Sequence, residues 1–292
     1  MKAARLPDRG VVRVAGPDAR KFLNGLITAD LAKVTPTQPR FAALLTPQGK
    51  IIVDFIVAEA EGAFFLDCPR ALAPTLSDRL TFYKLRAKVT IEDLSGTLDV
   101  LAIWDEDSVL RQGLCYPDPR LPGLGMRCIV SPNRAADGAA DVGAEFVDAS
   151  EYAAHRIALG VPQGGADFAY GDAFPHESDM DQLRGVDFDK GCFIGQEVVS
   201  RIEHRASART RVVPVGFDGA PPDTGVPVMA GDKSVGLMGS GVSGRGLAAL
   251  RLDRVEEALA SRTALVAGGV ELHLVKPPWA RFAFPGEAKS GR

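Results

Sequence analysis

Apolar and polar positions change their period several times along this chain, and each change marks an element. Val11-Val12-Arg13-Val14 forms a short strand that Gly16-Pro17 ends, and Asp18 stands where it would cap a helix through Phe22-Leu23 and Leu26-Ile27. Residues 41–45 and 50–57 flank the turn Thr46-Pro47-Gln48-Gly49 as a β-hairpin, and a third strand over 63–67 follows Glu61-Gly62. Leu72, Leu76 and Leu80 recur every four residues, which predicts a helix over 69–83. Paired strands with interspersed helices, rather than strict alternation, point to the α+β class.

A second unit of the same character follows, with strands over 98–104 and 126–130 and a Pro/Gly-rich loop over 116–123. Ser150 is placed to cap a helix over 151–159 that Gly160 and Pro162 stop. From Val212 onward the pattern becomes short β runs (212–215, 226–229, 234–238, 247–250 and 270–275), which predicts a small barrel. The expected organisation is an α+β unit over 1–95, a second over 96–206, and a barrel over 207–292 whose end, from Pro277, is a loosely held tail.

Composition narrows the class. With 292 residues, 46% hydrophobic and 24% charged, the chain is neither collagenous, low-complexity nor disordered. A net charge of −3 argues against a surface built for nucleic acid, so direct nucleic-acid binding is not expected. Charges interrupt the first 25 residues, and the most apolar run, 51–58, is broken by Asp54 and far short of the ~20 residues of a membrane span. The four cysteines, Cys68, Cys115, Cys128 and Cys192, form no CxxC pair, and so few thiols suit a reducing compartment. A soluble cytoplasmic protein with no membrane partner is expected.

Several clusters carry candidate chemistry. Gly239-Ser240-Gly241-Val242-Ser243-Gly244 matches GxGxxG, but its β-rich flanks make it a flexible turn and not a dinucleotide site. The run from Gly171 to Asp181 gathers His176 with four acids; without regular ligand spacing it reads as a solvated loop, and no metal site is assigned. In Lys190-Gly191-Cys192-Phe193-Ile194-Gly195-Gln196-Glu197, two glycines bracket a cysteine just ahead of a helix. The helix N-terminus and Lys190 would lower the pKa of Cys192, while a buried structural cysteine is the alternative. Arg201, Arg205 and Arg209 recur every four residues with Arg211 nearby, a face able to hold carboxylates or phosphate, or a plain solvated face. Asp54, inside an apolar strand, either faces solvent or sits in a ligand cavity, and Tyr83-Lys84-Leu85-Arg86 ends a helix with cations.

The segment from Lys190 to Glu197 closely resembles the K-G-C-[YF]-x-G-Q-E signature of the YgfZ family, tetrahydrofolate-binding relatives of the glycine-cleavage T-protein linked to maintenance of iron–sulfur enzymes. Residues 44–51, 83–89 and 156–162 are similar to other family segments in the same order, so the resemblance runs from about Val11 to Pro277. It implies a T-protein-like α+β fold: two mixed units and a C-terminal β-barrel around a central folate-binding hole. It implies tetrahydrofolate or a one-carbon derivative as cofactor. It further implies a function supporting iron–sulfur cluster assembly or repair in client enzymes, tRNA-modifying ones included. Cys192 would be the functional thiolate, assisted by Lys190, with Gly191, Gly195, Gln196 and Glu197 beside the cofactor. Asp54, Tyr83 and Arg86 would contact folate, and Arg201 and Arg205 would take its glutamate tail. Two departures count against aminomethyl transfer: Val53 replaces one acid of the T-protein pair, and Ala158 stands where a pterin-contacting glutamate would align. A folate-dependent one-carbon transferase using Asp54 is the alternative.

Overall fold

The computed structural model describes residues 1–105, 113–205 and 208–287. The chain forms two compact units, each discontinuous: Met1–Ala153 with Leu183–Glu197, and Ala154–Gln182 with Val198–Arg292. The segments expected on either side of residue 95 thus contribute to one unit, and the boundary expected at 207 lies outside the described residues.

The first unit holds two five-stranded sheets. In chain order its elements are β1 (Lys2–Arg5), β2 (Arg9–Ala15), α1 (Ala19–Asn24), β3 (Arg40–Leu45), β4 (Ile51–Ala60), β5 (Ala63–Pro69), α2 (Ala73–Lys84), β6 (Thr90–Asp93), β7 (Asp99–Trp104), β8 (Leu114–Pro117), β9 (Met126–Val130), α3 (Ala135–Asp141) and β10 (Glu145–Phe146). One sheet runs β3-β4-β5-β2-β6, the other β10-β1-β7-β9-β8. Alternation sends Val53, Phe55 and Val57 of β4 to one face of their sheet, where they meet Leu76 and Leu80 of α2 in a closed apolar core. Each such side chain contributes about 1.5–3 kcal/mol by leaving water. Asp54 therefore lies on the opposite face, opposite Ala43 of β3.

Two predicted caps are corrected. Asp18 makes no cap bond to α1; its carboxylate accepts the backbone N–H of Lys88 at 2.8 Å, because the chain returns there after α2. In α4 (Ala149–Ala158), Ser150 is already helical, and its N–H donates to Asp148 at 2.8 Å. Cys115 and Cys128 stand opposite each other on β8 and β9 and form a disulfide, a pairing that the reducing-compartment expectation did not foresee.

The second unit holds α4 from Ala154 onward, α5 (Gln196–Arg205) from Val198, and a closed barrel. The barrel is built from β11 (Thr210–Gly216), β12 (Pro227–Ala230), β13 (Lys233–Val242), β14 (Arg245–Arg251), β15 (Leu265–Ala267) and β16 (Val270–Leu274), with α6 (Leu252–Ala260) packed on it. The GxGxxG run begins inside β13, which holds Gly239 and Gly241, and only its end, Ser243-Gly244, forms the expected turn, into β14. A Cβ on Gly239 would stand 2.5 Å from the Asp167 carboxylate, which accepts the Ser240 N–H at 2.7 Å and pairs with buried Arg156 at 2.8 Å. The glycine admits this carboxylate to the barrel wall. The tail is not loose as far as Glu287: Trp279 donates its indole N–H to Leu159 O at 2.9 Å, and Phe284 is buried in the barrel core. Residues 288–292 lie outside the described residues.

Candidate functional site

The cysteine loop is fastened to the first unit at several points. Asp187 accepts the Asp30 N–H at 2.7 Å and the Lys33 ammonium at 2.6 Å, and its own N–H donates to Thr28 O at 3.0 Å. The Thr28 hydroxyl donates to Gly185 O at 2.6 Å and accepts the Ala43 N–H at 2.8 Å, tying loop to sheet. Lys190 is only 7% exposed, and its three ammonium protons go to the carbonyls of Asn24, Ile27 and Ala29 at 2.7, 2.8 and 2.7 Å. These carbonyls close the turn after α1, and a buried carbonyl without a donor is costly. Burial pushes the Lys190 pKa down to about 8, against the pull of Asp30 and Asp187.

This geometry corrects the role expected for Lys190. With every proton committed to backbone oxygens, it has none to offer the Cys192 sulfur, and it acts as a rivet. Gly195 is also structural: its φ is 80°, and a Cβ there would come 2.6 Å from Thr46 O and 3.0 Å from Gly49 Cα. The close approach is to the β3–β4 turn. A Cβ on Gly191 would meet nothing within 4 Å, so protein packing does not require a glycine there. Phe193 and Ile194 turn inward, Phe193 under the Lys190 ammonium at 5.2 Å and Ile194 against the apolar core.

Between these anchors Cys192 is left exposed, with a free thiol four residues ahead of α5. It stands outside the first turn of α5, and the Lys190 ammonium is turned to backbone oxygens. The other free thiol, Cys68, is buried, and burial pushes it up to about 12, with Arg9 opposing and Asp67 adding to the rise. Cys192 is the accessible thiol of this chain.

The expected folate contacts do not converge. Asp54 is 6% exposed and lies on the sheet face away from α2, while Tyr83 packs against the core on the α2 side and Arg86 is exposed beyond the helix end. On Asp54's face runs a buried polar seam that the sequence reading missed. Asp67 accepts from Arg9 Nε at 2.6 Å and from the Tyr116 hydroxyl at 3.3 Å, and Arg127 stands 3.7 Å away. Asp118 accepts from Arg120 at 2.7 Å and from Arg127 at 3.2 Å. Burial alone would raise its pKa, yet the two guanidinium groups bring it to about 2. The available signals were Asp67 inside an apolar strand and the Asp118–Arg120 pair beside prolines.

The arginine face is also revised. Arg201 and Arg205 lie exposed on α5, but the helix ends at Arg205. Arg209 falls in the connector to β11, and Arg211 is buried in β11, bridging Asp179 at 3.0 Å and both oxygens of Asp181 at 2.9 Å. In the same unit His176 Nε2 lies 2.9 Å from Glu203 Oε2, and these two with Asp181 bring ligand atoms within 4.8 Å of one another. Because Arg211 already occupies both Asp181 oxygens, positive charge stands where a cation would bind.

Comparisons with known proteins locate this chain. Residues 8–108 match the GCVT N-terminal domain, and residues 209–282 match the CAF17 C-terminal beta-barrel domain. The glycine cleavage system aminomethyltransferase T of Bartonella henselae has the same fold, with a TM-score of 0.75 over 97% of this chain and 87% of that one, at 16% identity. The α+β class with a C-terminal barrel is thus the observed one. The mitochondrial iron–sulfur cluster assembly factor IBA57 of Mus musculus is 33% identical over 94% of this chain and 84% of its own length. Its human counterpart is 31% identical over the same shares, and the Mycosarcoma maydis homologue is 33% identical over 87% of this chain and 74% of its own. All three are mitochondrial by name, which overturns the cytoplasmic expectation. With about a third of positions identical over most of both chains, this protein belongs to the IBA57 family, a T-protein-like relative of YgfZ and not YgfZ itself.

Proposed function

We propose that this protein supports iron–sulfur cluster assembly or repair in client enzymes, with Cys192 as the side chain that meets the cluster or its sulfur. The observation that carries this is an exposed free thiol on a loop pinned by Lys190, Asp187 and Gly195. Relatives named as cluster assembly factors support the functional class. Clusters are usually held by four thiolate or imidazole ligands, so one cysteine requires a partner protein to supply the rest. Clients include the tRNA-modifying enzymes that need such clusters.

Tetrahydrofolate is the cofactor that the T-protein-like fold suggests. The residues expected to hold it fit poorly as a set, because Asp54 and Tyr83 lie on opposite faces of one sheet. Equilibrium binding of tetrahydrofolate to the purified chain tests its presence. The one-carbon transferase reading needs Asp54 open to a substrate, and its 6% exposure speaks against that.

The test is rescue of a cluster-dependent enzyme in cells lacking this protein. Wild type is expected to restore activity and Cys192→Ala to fail at equal protein level. Equal rescue would make the thiol dispensable, and an enzyme unimpaired by the deletion would sink the assembly role.

A further inference from the structure

Phe82 and Leu85 hold large apolar side chains out in solvent, 72% and 90% exposed. Phe82 lies in the last turn of α2, and Leu85 is the residue that ends it. Leu85 takes φ 44° and ψ −106°, a backbone state that a leucine rarely adopts. On the same helix Leu76 and Leu80 are fully buried, so the apolar pattern that builds the core stops before this tip. The tip is also strongly cationic. From Arg79 to Ile91 the chain carries Arg79, Lys84, Arg86 and Lys88 and no acid, and among the described residues none of the four is ion-paired.

We propose that this tip seats an acidic protein partner, whose apolar pocket covers Phe82 and Leu85 and whose carboxylates face the four cations. The inference rests on the cluster-assembly reading, which gives the partner's class: an iron–sulfur carrier or client protein with an acidic face. Apolar anchors that fill a partner's pocket and are ringed by polar groups carry much of the energy at many interfaces. Unpaired cations around them steer a partner of opposite charge and fix its orientation. A lipid surface fits less well, because α2 buries its other apolar positions and leaves no amphipathic face to lie in a bilayer interface. The tip shares its foundation with the cysteine loop. Tyr83, whose ring meets Phe82 edge-on at 5.4 Å, packs on the same core as Ile194, two residues beyond Cys192. A partner seated here is held by the unit that carries the thiol.

The test places the photocrosslinker p-benzoylphenylalanine at position 85 of the full-length chain in cells, with adducts identified by mass spectrometry. The expected adduct is an acidic iron–sulfur carrier or client. Its yield should fall about tenfold when Lys84→Glu, Arg86→Glu and Lys88→Glu are combined. Phe82→Ser with Leu85→Ser should keep the thermal midpoint within a few degrees, since both side chains are exposed, yet impair rescue of the cluster-dependent enzyme. Absence of an adduct, an adduct only with RNA, or a yield indifferent to the charge reversal overturns the proposal. So does binding to phosphatidylglycerol-containing vesicles that the serine variant loses. Full rescue by the serine variant while Cys192→Ala fails would overturn the docking site alone. Failure of wild type to rescue would strike the cluster-assembly reading itself.

Discussion

The same thiol chemistry meets opposite surroundings at Cys192 and Cys68, and the difference can be counted. In the native, unreduced protein one equivalent of iodoacetamide is expected to react quickly, at Cys192. Denaturation without reductant should expose a second thiol, Cys68, and reduction should bring the total to four by opening Cys115–Cys128. Intact-mass measurement reads all three values, and Cys192→Ala should leave the native protein unlabelled. Lys190→Ala leaves three carbonyls without their donor and is expected to destabilise the fold by about 3 kcal/mol, read by chemical denaturation. The pH sign follows from its lowered pKa. Between about 8 and 10.5 the unfolded chain binds more proton than the folded one, so this residue makes stability rise with pH across that window. Lys190→Met should remove that slope.

Elements differ in how much of their environment a sequence window contains. The hairpin of β3 and β4 and the helix α2 were legible because their apolar periods are local: Leu76 and Leu80 really do face the core. The i, i+4, i+8 arginine pattern misled because α5 stops at Arg205, and a period has meaning only while the helix lasts. The seam of Asp118 is only partly local: Arg120 lies two residues away, but Arg127 and the Asp67 end of the seam are brought in by strand pairing, which no local pattern encodes. Asp118 makes an acid prediction. Its carboxyl is held at about 2 against an ordinary 3.8, so the stability it contributes is full above pH 4 and lost as pH falls toward 2. Asp118→Asn should flatten that part of the pH–stability curve. It should also cost about 3–5 kcal/mol at neutral pH by leaving the buried Arg120 and Arg127 short of a counter-charge. Gly195→Ala should lower the thermal midpoint through its positive φ and the clash with the β3–β4 turn.

Across the whole molecule, the KGC motif was found from sequence, but the reason for its lysine was not. Lys190 finds its acceptors 161 to 166 residues earlier in the chain, and no spacing rule reaches that far. The first unit is therefore incomplete as a continuous fragment. Residues 1–153 alone should be less protected against proteolysis than residues 1–197, which restore Asp187 and Lys190 to their partners. Limited trypsin digestion with peptide mapping at the turn after α1 distinguishes the two.

That long tether also fixes a schedule. A ribosome must deliver roughly two-thirds of the chain before Lys190 can reach the turn after α1, and closing so distant a contact is among the slower steps in folding. Until it closes, Cys192 travels on a loose strand of nascent chain. Only a completed first unit holds the sulfur in a fixed place, so an unfinished molecule cannot hold it in the geometry of a finished one.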